Sequence, residues 1–482
     1  MAFSNSSRPV SDATPLPNIA YLIEGDSVNK IDAEIARLTR QIRSLRQLRN
    51  SVVAISRFPV EILAKVFLHC HWLDHKFRDP DSRLIVSWVC HHWRDVALHD
   101  PVLWTFVRPK SSQPESPSYI QYIQQCFIRS RNLPLVVIYD NAPSEVMTVC
   151  SSQLHRIRKL RIGYHFTQNG HDPLPYSWQQ PAPLLSELEL IKIGLEGNLF
   201  GGTNPPLQSL FLASCIDCWD SPIISLSTLT TLKIHHPEDS ITPEALIAKL
   251  QALPALKFCS LYNCFEYAPT PFKHSIRLPC LENLVVAHFC IPTVGEFLRC
   301  LDISDVSLAV IYEASEVPQE DFEDSFEWFQ AYHRDFRKDI HSLSFRQQRG
   351  RQGTYAMDSI AISTASSTSN RPFTFEVNTI DTGFDFDPVI CASGYLPLGN
   401  VRDMSLDSVS FEGLKSFGPL PRLESLKLDN AEVDCIAVNI PFLRFSGLLP
   451  SITKLTVESR FFFGFENTYP GGERGGLRML DS

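Results

Sequence analysis

The sequence lacks the long apolar runs that mark membrane spans and secretory leaders. No stretch approaches the roughly 18 apolar residues that a spanning helix needs. The amino-terminal segment MAFSNSSRPVSDATPLP is polar and has no apolar core of the kind that a signal peptide carries. The sequence therefore predicts an intracellular, soluble protein, cytoplasmic or nuclear, that does not bind membranes.

The sequence also lacks the short motifs that mark common catalytic sites. It contains no phosphate-binding loop, no dinucleotide-binding glycine pattern, no nucleophile elbow and no H-E-x-x-H zinc motif. We therefore expect no enzyme activity: no catalytic residue, no cofactor-binding residue, no cofactor and no metal.

Composition places the chain among ordinary globular proteins. Its 482 residues suffice for two or three domains, and 44% are apolar while 20% are charged. The formal net charge of −9 disfavours nonspecific nucleic-acid binding. Thirteen cysteines are scattered without framework spacing, which is typical of reduced thiols in the cytosol or nucleus.

Three weaker chemical signals favour structural roles. Cys215-x-x-Cys218 has no second pair at zinc spacing. Asp381-Thr382-Gly383 matches the aspartic-protease triplet, but a single copy would need a second chain to supply the other carboxylate, so a turn is favoured. The remaining metal-capable residues belong to the two helices predicted for the segment Arg57 to Phe106, where packing or a surface position is favoured over metal binding. They are His69, Cys70, His71, His75, Cys90, His91 and His92.

The segment Arg57 to Phe106 predicts a small helical unit. Pro59 suits the first turn of a helix, and the apolar residues that follow recur at three-to-four spacing. A second helix follows a short loop and is stopped by Asp100-Pro101. Roughly 50 residues cannot bury this many large apolar groups by themselves, so some should be left for a partner.

The same segment resembles a known family in the order and spacing of its anchors. These anchors are Pro59-x-Glu61-Ile62-Leu63, Val66-Phe67, Val89-Cys90-x-x-Trp93-Arg94-x-x-Ala97 and Pro101-x-Leu103-Trp104. The segment is similar to the F-box of fungal (mushroom-type) F-box proteins. Phe58 stands where that family usually has leucine, and His91 stands where it often has a positively charged residue.

The resemblance implies a partner and a function. In that family the F-box binds the Skp-type adaptor of a cullin–RING ubiquitin ligase, and the rest of the chain selects a protein substrate. The implied adaptor-binding residues are Pro59, Ile62, Leu63, Val66, Phe67, Val89, Trp93, Leu103 and Trp104. Several of these must instead form the core of the unit, and the sequence does not divide them. Since the chain has no RING-type array, it would position a substrate without performing ubiquitin transfer.

Residues 1–25 predict a disordered lead, and residues 26–54 predict a helix with a heptad-like apolar stripe. The stripe comprises Val28, Ile31, Ile35, Leu38, Ile42, Leu45 and Val52, with Leu48 at its edge. Because short seams are weak, packing against the next domain is favoured over self-association. An arginine at every third position from Arg37 to Arg49 predicts a solvated face, with contact to an anionic partner as the alternative.

After a linker and a helix over 109–134, a repeat of the form L-x-x-L-x-L begins. Its clearest copies are Ile157/Leu160/Ile162, Leu185/Leu188/Leu190, Leu207/Leu210/Leu212, Leu229/Leu232/Ile234, Leu256/Cys259/Leu261, Leu281/Leu284/Val286, Val401/Met404/Leu406, Leu423/Leu426/Leu428 and Ile452/Leu455/Val457. The first six copies follow one another at steps of 22 to 28 residues, which match leucine-rich repeats. The predicted fold class is therefore α/β: an amino-terminal helix and a helical F-box followed by an irregular leucine-rich-repeat solenoid over 135–468. A ragged tail follows over 469–482.

The predicted solenoid carries insertions around 313–400. There the sequence predicts a helix around Phe322 to Phe336 and exposed loops at Arg346 to Gly353 and Ile362 to Arg371. The predicted recognition face uses the residue between the last two apolar members of each repeat. These substrate-binding candidates are Glu189, Phe211, Lys233, Ser260, Val285, Ser405, Lys427 and Thr456.

Two functions remain open at this point. The first is a substrate receptor of a Skp–cullin–F-box ubiquitin ligase. The second is a leucine-rich-repeat scaffold that takes no part in ubiquitination and uses its F-box as a structural cap, because a repeat array needs its end covered. The mixed chemistry of the recognition face favours a protein or peptide ligand over nucleic acid.

Overall fold

A computed structural model gives the structure of this chain. It describes residues 27–74, 82–108, 117–140, 144–163, 172–173, 176–195, 199–266, 276–288, 290–303, 306–314, 319–336, 340–352, 355–366, 373–379, 388–396, 398–407, 411–429 and 449–458. The predicted lead, the predicted tail, His75 and the Asp381 triplet lie outside these residues. The described residues form two compact units. The first takes those up to Phe106 together with Gln124–Leu133, and the second takes Val107–Ile123 and those from Pro134 onwards.

The first unit is helical. Its helices are α1 (Ser27–Val52), α2 (Val60–Asp74), α3 (Ser82–Val89), α4 (His91–His99) and the carboxyl-terminal half of α5 (Pro117–Arg129). Short 3-10 turns lie at Ala54–Arg57 and Pro101–Trp104.

Local chemistry sets the ends of these helices. Pro59 precedes α2, and its carbonyl accepts hydrogen bonds from the amides of Ile62 and Leu63 at 3.0 and 3.1 Å. Cys90 caps α4, because its Sγ accepts from the amide of Trp93. Asp100 ends α4, and its carboxylate accepts from the amide of Val102 at 3.1 Å.

The second unit is built on strands. They are β1 (Phe106–Val107), β2 (Leu135–Asp140), β3 (Ile157–Gly163), β4 (Asp172–Pro173), β5 (Glu187–Ile191), β6 (Ile193–Gly194), β7 (Ser209–Ala213), β8 (Thr231–His235), β9 (Phe258–Tyr262), β10 (Asn283–His288), β11 (Ser307–Ala314), β12 (Ile340–Gln352), β13 (Tyr355–Ser366), β14 (Phe373–Thr379), β15 (Asp403–Asp407), β16 (Ser425–Asp429) and β17 (Lys454–Glu458). Its further helices are α6 (Ser144–Ser151), α7 (Pro243–Gln251), α8 (Ile291–Arg299), α9 (Gln319–Phe336), α10 (Pro388–Ser393) and α11 (Phe411–Ser416).

Fifteen strands form one sheet, while β4 and β6 pair separately. The order is β1-β2-β3-β5-β7-β8-β9-β10-β11-β14-β13-β12-β15-β16-β17. From β2 to β17 the strands of this sheet pair in parallel, except where β13 runs antiparallel to β12 and to β14. The second and third apolar members of neighbouring repeats are in register, as in Leu188 beside Leu210 and Leu190 beside Leu212. These side chains are almost fully buried and form one layer of the core.

The fold predicted from the sequence is wrong in its leucine-rich-repeat solenoid, whereas its α/β class and amino-terminal helix are confirmed. A repeat solenoid adds one parallel strand beside the last, in chain order. Here β12 and β13 form an antiparallel ribbon of 13 and 12 residues, and β14 enters the sheet between β11 and β13. The structure is a large, mostly parallel sheet with helices, and its strand order departs from chain order at this ribbon.

The misassigned insertion explains part of this error. Two segments were predicted as exposed loops, 346–353 and 362–371. Residues 346–352 instead belong to β12, and residues 362–366 belong to β13. The alternate residues Ile360, Ile362 and Thr364 are buried on one face of β13, which is strand periodicity. The run of serine, threonine and alanine beyond Ile362 hid this period.

Two local predictions are confirmed. The predicted helix around Phe322 to Phe336 is α9, and its residues Phe322, Phe326 and Phe329 are fully buried. The rings of Phe326 and Phe329 pack against Phe373 and Phe375 of β14, with centroids 5.3 to 5.5 Å apart. The second is a helix over Thr242 to Ala252, for which the sequence predicts Thr242 as the N-cap before Pro243. In α7, Thr242 Oγ1 does accept a hydrogen bond from the amide of Ala245.

Within the residues described, none of the helices combines the length and the apolar character that crossing a bilayer requires.

Candidate protein-binding surfaces

The structure divides the predicted adaptor-binding residues of the first unit. Leu63, Phe67, Leu103 and Trp104 are 0 to 2% exposed and form its core with Val86, Val96 and Ala97. Pro59 is exposed, as are Ile62 at 43% and Val89 at 51%, while Val66 and Trp93 are half-buried. Only part of the predicted set can therefore contact a partner without unfolding the unit.

The core aromatics of this unit are fixed by specific contacts. The ring of Phe67 packs against that of Trp93 with centroids 5.0 Å apart. Trp104 Nε1 donates a hydrogen bond to the carbonyl of Ala97 at 2.9 Å, and the guanidinium of Arg129 lies over its ring at 4.7 Å. A buried tryptophan with a satisfied N–H serves the core, so Trp104 acts structurally.

The exposed apolar residues of the chain are concentrated in this unit. Among the described residues, every large apolar side chain that is exposed belongs to it except Leu184 and Ile390. Besides the stripe of α1, the set comprises Val53, Phe58, Val60, Ile62, Ile85, Trp88, Val89, Val102 and Ile128. Trp88, at 69% exposed, was absent from the predicted set. Its place one residue before Val89 could have suggested it.

A groove of about 450 Å³ lies between α2 and α4 on this unit. Val60 and Ala64 of α2 line one side, while His92 and Asp95 of α4 and the following Pro101 line another. The side chain of His91, on the same helix, has its Nδ1 2.9 Å from Asp95 Oδ2. Apolar walls with a few polar groups are typical of a site that receives a side chain of another molecule.

In the second unit, the predicted substrate-binding residues lie in one row across the sheet. Register places Glu189, Phe211, Lys233, Ser260 and Val285 side by side on β5 to β10. The row continues through β11, β14, β13 and β12 and reaches Ser405, Lys427 and Thr456 on β15 to β17. Apart from buried Ser260, these eight candidates are half-exposed.

One end of the row is charged. Lys159 Nζ lies 2.9 Å from carboxylate oxygens of both Glu187 and Glu189, and Arg161 lies 3.4 Å from Glu189. Burial alone would lower the pKa of Lys159, but its hydrogen bonds to Glu189 and Glu187 raise it. Glu189 is thus already engaged by two cations of the neighbouring strand.

An aromatic centre lies on β7, β8 and β9, next to the charged end of the row. The His235 ring lies 4.9 Å from Phe211 and 4.3 Å from Tyr262, and its Nε2 is 3.0 Å from Ser260 Oγ. Burial, followed by the charges of His236 and Lys233, lowers the pKa of His235 to about 4. His235 is therefore neutral at pH 7, and this cluster presents aromatic surface with little charge.

His235 and Tyr262 were missed at the sequence level, although a signal was present. Each lies two residues beyond a predicted recognition residue, on the same strand, and alternate residues share a face. Beside Lys233, the ring of Phe258 lies 5.2 Å from its ammonium nitrogen, within reach of a cation–π contact. Aromatic side chains on such a face are typical anchors of protein interfaces.

Carboxylates adjoin this aromatic centre. Burial, together with the charges of Glu313 and Glu376, raises the pKa of Tyr262 to about 12. Burial, opposed by a hydrogen bond with Asn378 and assisted by Glu313, raises the pKa of Glu376. The face thus combines an aromatic centre with an acidic flank, which suits a polypeptide of mixed character.

The far end of the row is polar. Lys427 Nζ lies 3.1 Å from Asp429 Oδ2 on its own strand, and Arg346 Nε lies 3.5 Å from Asp407 Oδ2. Ser405 and Thr456 flank Lys427 in the register. Together with the charged end, these pairs give the sheet face both signs of charge.

The weak metal signals of the sequence have structural explanations where they are described. Cys215 Sγ donates to the carbonyl of Leu190 on the preceding strand, and Cys264 Sγ does the same to Ile234. Burial raises the pKa of Cys215 to about 11 and that of Cys218 to about 12. Within the described residues, no three or more His, Cys, Asp or Glu side chains are grouped to hold a metal ion.

Comparison with models of known protein families and with curated protein sequences found no match for this chain.

Proposed function

We propose that this protein is a substrate receptor of a Skp–cullin–F-box ubiquitin ligase. Residues 57–106 would dock the Skp-type adaptor, and the mixed face of the sheet would bind a protein substrate. The proposal rests on the resemblance of the helical segment to the fungal F-box. The observation that carries it further is the concentration of exposed apolar side chains on the same unit.

The division between core and surface refines the docking residues. Buried Leu63, Phe67, Leu103 and Trp104 hold the unit together. Adaptor contact is assigned to the exposed members of the motif, Pro59, Ile62 and Val89. Trp88 joins them, because tryptophans at solvent-exposed positions are frequent interface anchors.

The role in ubiquitination would be to raise the effective concentration of a substrate beside the transferring enzyme. The chain would hold the adaptor with one unit and the substrate with the other. The row from Glu189 to Thr456, extended by His235 and Tyr262, would supply substrate contacts. Its aromatic centre and its charges of both signs support a polypeptide ligand.

Adaptor binding by the purified chain tests the proposal. We expect a purified Skp-type adaptor to co-elute with the wild-type chain, and the variant Ile62→Asp with Val89→Asp to lose at least about 100-fold in affinity. Two desolvated apolar contacts of this size are each worth about 1.5–3 kcal/mol. Leu184→Asp with Ile390→Asp is the matched control, because those residues are equally exposed but belong to the second unit.

Undiminished adaptor binding by the Ile62 and Val89 variant would remove the docking assignment. Absence of adaptor binding by the wild-type chain would favour the second function, a scaffold that takes no part in ubiquitination. One observation supports that alternative: four of the nine predicted adaptor-binding residues already serve the unit's own core.

A further inference from the structure

The apolar stripe of α1 is exposed along its whole length. The side chains of Val28, Ile31, Ile35, Leu38, Ile42, Leu45 and Val52 are 37 to 70% exposed. The sequence favoured packing of this stripe against the next domain, but these exposures contradict that prediction. Seven large apolar groups on one face of a 26-residue helix are therefore left in water in the single chain.

The period of the stripe identifies the kind of surface that it fits. Steps of three and four residues alternate without a break from Val28 to Leu45 and return at Val52, which gives a repeat of 3.5 residues. A helix that packs on its own globular core usually shows a wider stripe at 3.6 residues per turn. A strict 3.5 period is instead the signature of a seam between supercoiled helices.

The positions beside the seam are mostly polar, which keeps the seam narrow. Writing Val28, Ile35 and Ile42 as position a of each heptad makes Ile31, Leu38, Leu45 and Val52 position d. The flanking e and g positions are then Asp32, Glu34, Thr39, Gln41, Arg46 and Leu48. Leucine fills two of the four d positions, Leu38 and Leu45, and the three apolar a positions are β-branched. In parallel dimers, β-branched residues at a with leucine at d favour two strands over three or four.

We propose that α1 pairs with α1 of a second copy of this chain to form a two-stranded, antiparallel coiled coil. A second copy of α1 is the partner indicated, because the charges of the helix are complementary to those of an antiparallel copy. In the antiparallel arrangement each a residue faces a d residue of the partner, and flanking e positions face e positions. Asp32 of each helix then lies beside Arg46 of the other, which gives two ion pairs between opposite charges.

A parallel pair would place charges less favourably. Arg49, at position a, would face its own copy across the seam, and the arginines of both carboxyl-terminal halves would lie side by side. In the antiparallel pair Arg49 faces Ile31, along which its aliphatic stem can lie while its guanidinium reaches water. Charged flanking positions set orientation in coiled coils, so the antiparallel pairing is assigned.

Sedimentation equilibrium of the full-length chain tests the pairing. We expect a concentration-dependent mass that approaches twice 54.6 kDa by about 50 µM, a protein concentration at which even weak specific dimers form. Leu38→Asp with Leu45→Asp should weaken dimerisation at least about 100-fold. The matched control is Ala33→Asp with Gln47→Asp, two substitutions on the outer face of α1, which should change it less than about threefold.

A charge exchange tests the orientation and cannot be imitated by misfolding. Asp32→Arg alone and Arg46→Asp alone should each weaken the dimer by about 3- to 10-fold. The two combined should restore it to within about twofold, because the pairs re-form with their signs exchanged. A monomeric wild-type chain, a trimer, or insensitivity to the seam variant would overturn the pairing. Failure of the combined variant to restore affinity would overturn the antiparallel orientation.

Discussion

Ile62 and Leu63 are neighbours in the sequence, but their side chains lie in different environments on α2. Leu63 is fully buried, whereas 43% of Ile62 is exposed. Both are large, aliphatic and part of the same motif, so residue type could not tell them apart. The difference arises because consecutive helical residues point about 100° apart, and only the packing of α2 in the first unit fixes which direction is inward.

Alanine substitution at these two positions should separate core from surface. Leu63→Ala should lower the free energy of unfolding of the first unit by about 2–5 kcal/mol, because it leaves a cavity among close-packed side chains. Ile62→Ala, the control, should change it by less than about 0.5 kcal/mol. Hydrogen exchange of the α2 amides reports the unit specifically. Equal protection losses in the two variants would contradict the assignment.

His235 makes a second prediction at this scale, since the pKa of its imidazole is lowered from 6.5 to about 4. The folded protein then binds fewer protons than the unfolded chain below pH 6.5. Burial of neutral His235 therefore does not lower the free energy of unfolding above pH 6.5. As the pH falls from 6.5 towards 4, the unfolded chain takes up a proton that the folded protein does not, and the free energy of unfolding falls. Burial also lowers the pKa of His288, so both imidazoles act in the same direction.

We expect the urea midpoint to fall between pH 7 and pH 4.5, and to fall less steeply in His235→Phe. The pH slope is the readout, because phenylalanine also changes packing against Phe211 and Tyr262. His155→Phe, at an exposed position, serves as the control and should leave the slope unchanged. An identical slope for His235→Phe and wild type would show that the ring titrates normally in the fold.

At the scale of elements, α8 and α9 approach closely at one glycine. A methyl group added to Gly295 of α8 would collide with the indole of Trp328 of α9, whose rigid ring cannot give way cheaply. Trp328 also packs against Phe375 of β14, with centroids 6.0 Å apart. The absent side chain at Gly295 is therefore a condition of this helix–helix contact.

Gly295→Ala should destabilise the second unit by about 1–3 kcal/mol through overpacking, despite the better helix propensity of alanine. The measurement is the melting temperature, which should fall. Gly394→Ala is the control, because a methyl group there would meet no atom within 4 Å among the described residues. A Gly295→Ala variant that melts at or above the wild-type temperature would disprove the close contact.

Elements differed in how far the sequence determined them. The L-x-x-L-x-L segments became strands because two alternate apolar residues need burial on one face, and β5 to β10 place those residues in register. The ribbon β12–β13 was not predicted. Its segments are polar over 346–352 and 363–366, and the pairing of β13 with β12 and β14 outweighed their weak local pattern.

At the scale of the whole molecule, two surfaces of different character belong to two units. The helical unit exposes aliphatic and tryptophan side chains, while the sheet face combines aromatic and charged side chains. If the proposed function holds, adaptor binding and substrate binding should be separable by substitution. The eight predicted recognition residues lie in one row on one face, because strand alternation alone decides it, and their role in binding stays a prediction.

The sequence by itself determined the long helices α1, α2 and α9, the strands formed by the clear repeats, and which residues of those strands share a face. These properties follow from periods of two, 3.5 and 3.6 residues, which are local. The tertiary structure alone decided the order of strands around β14 and the burial of four predicted adaptor-binding residues. It also decided the exposure of the α1 stripe. Each of these properties depends on contacts between residues that are far apart in the sequence. The hydrophobic effect is non-directional, so an apolar residue can be buried equally well by its own chain or by another molecule.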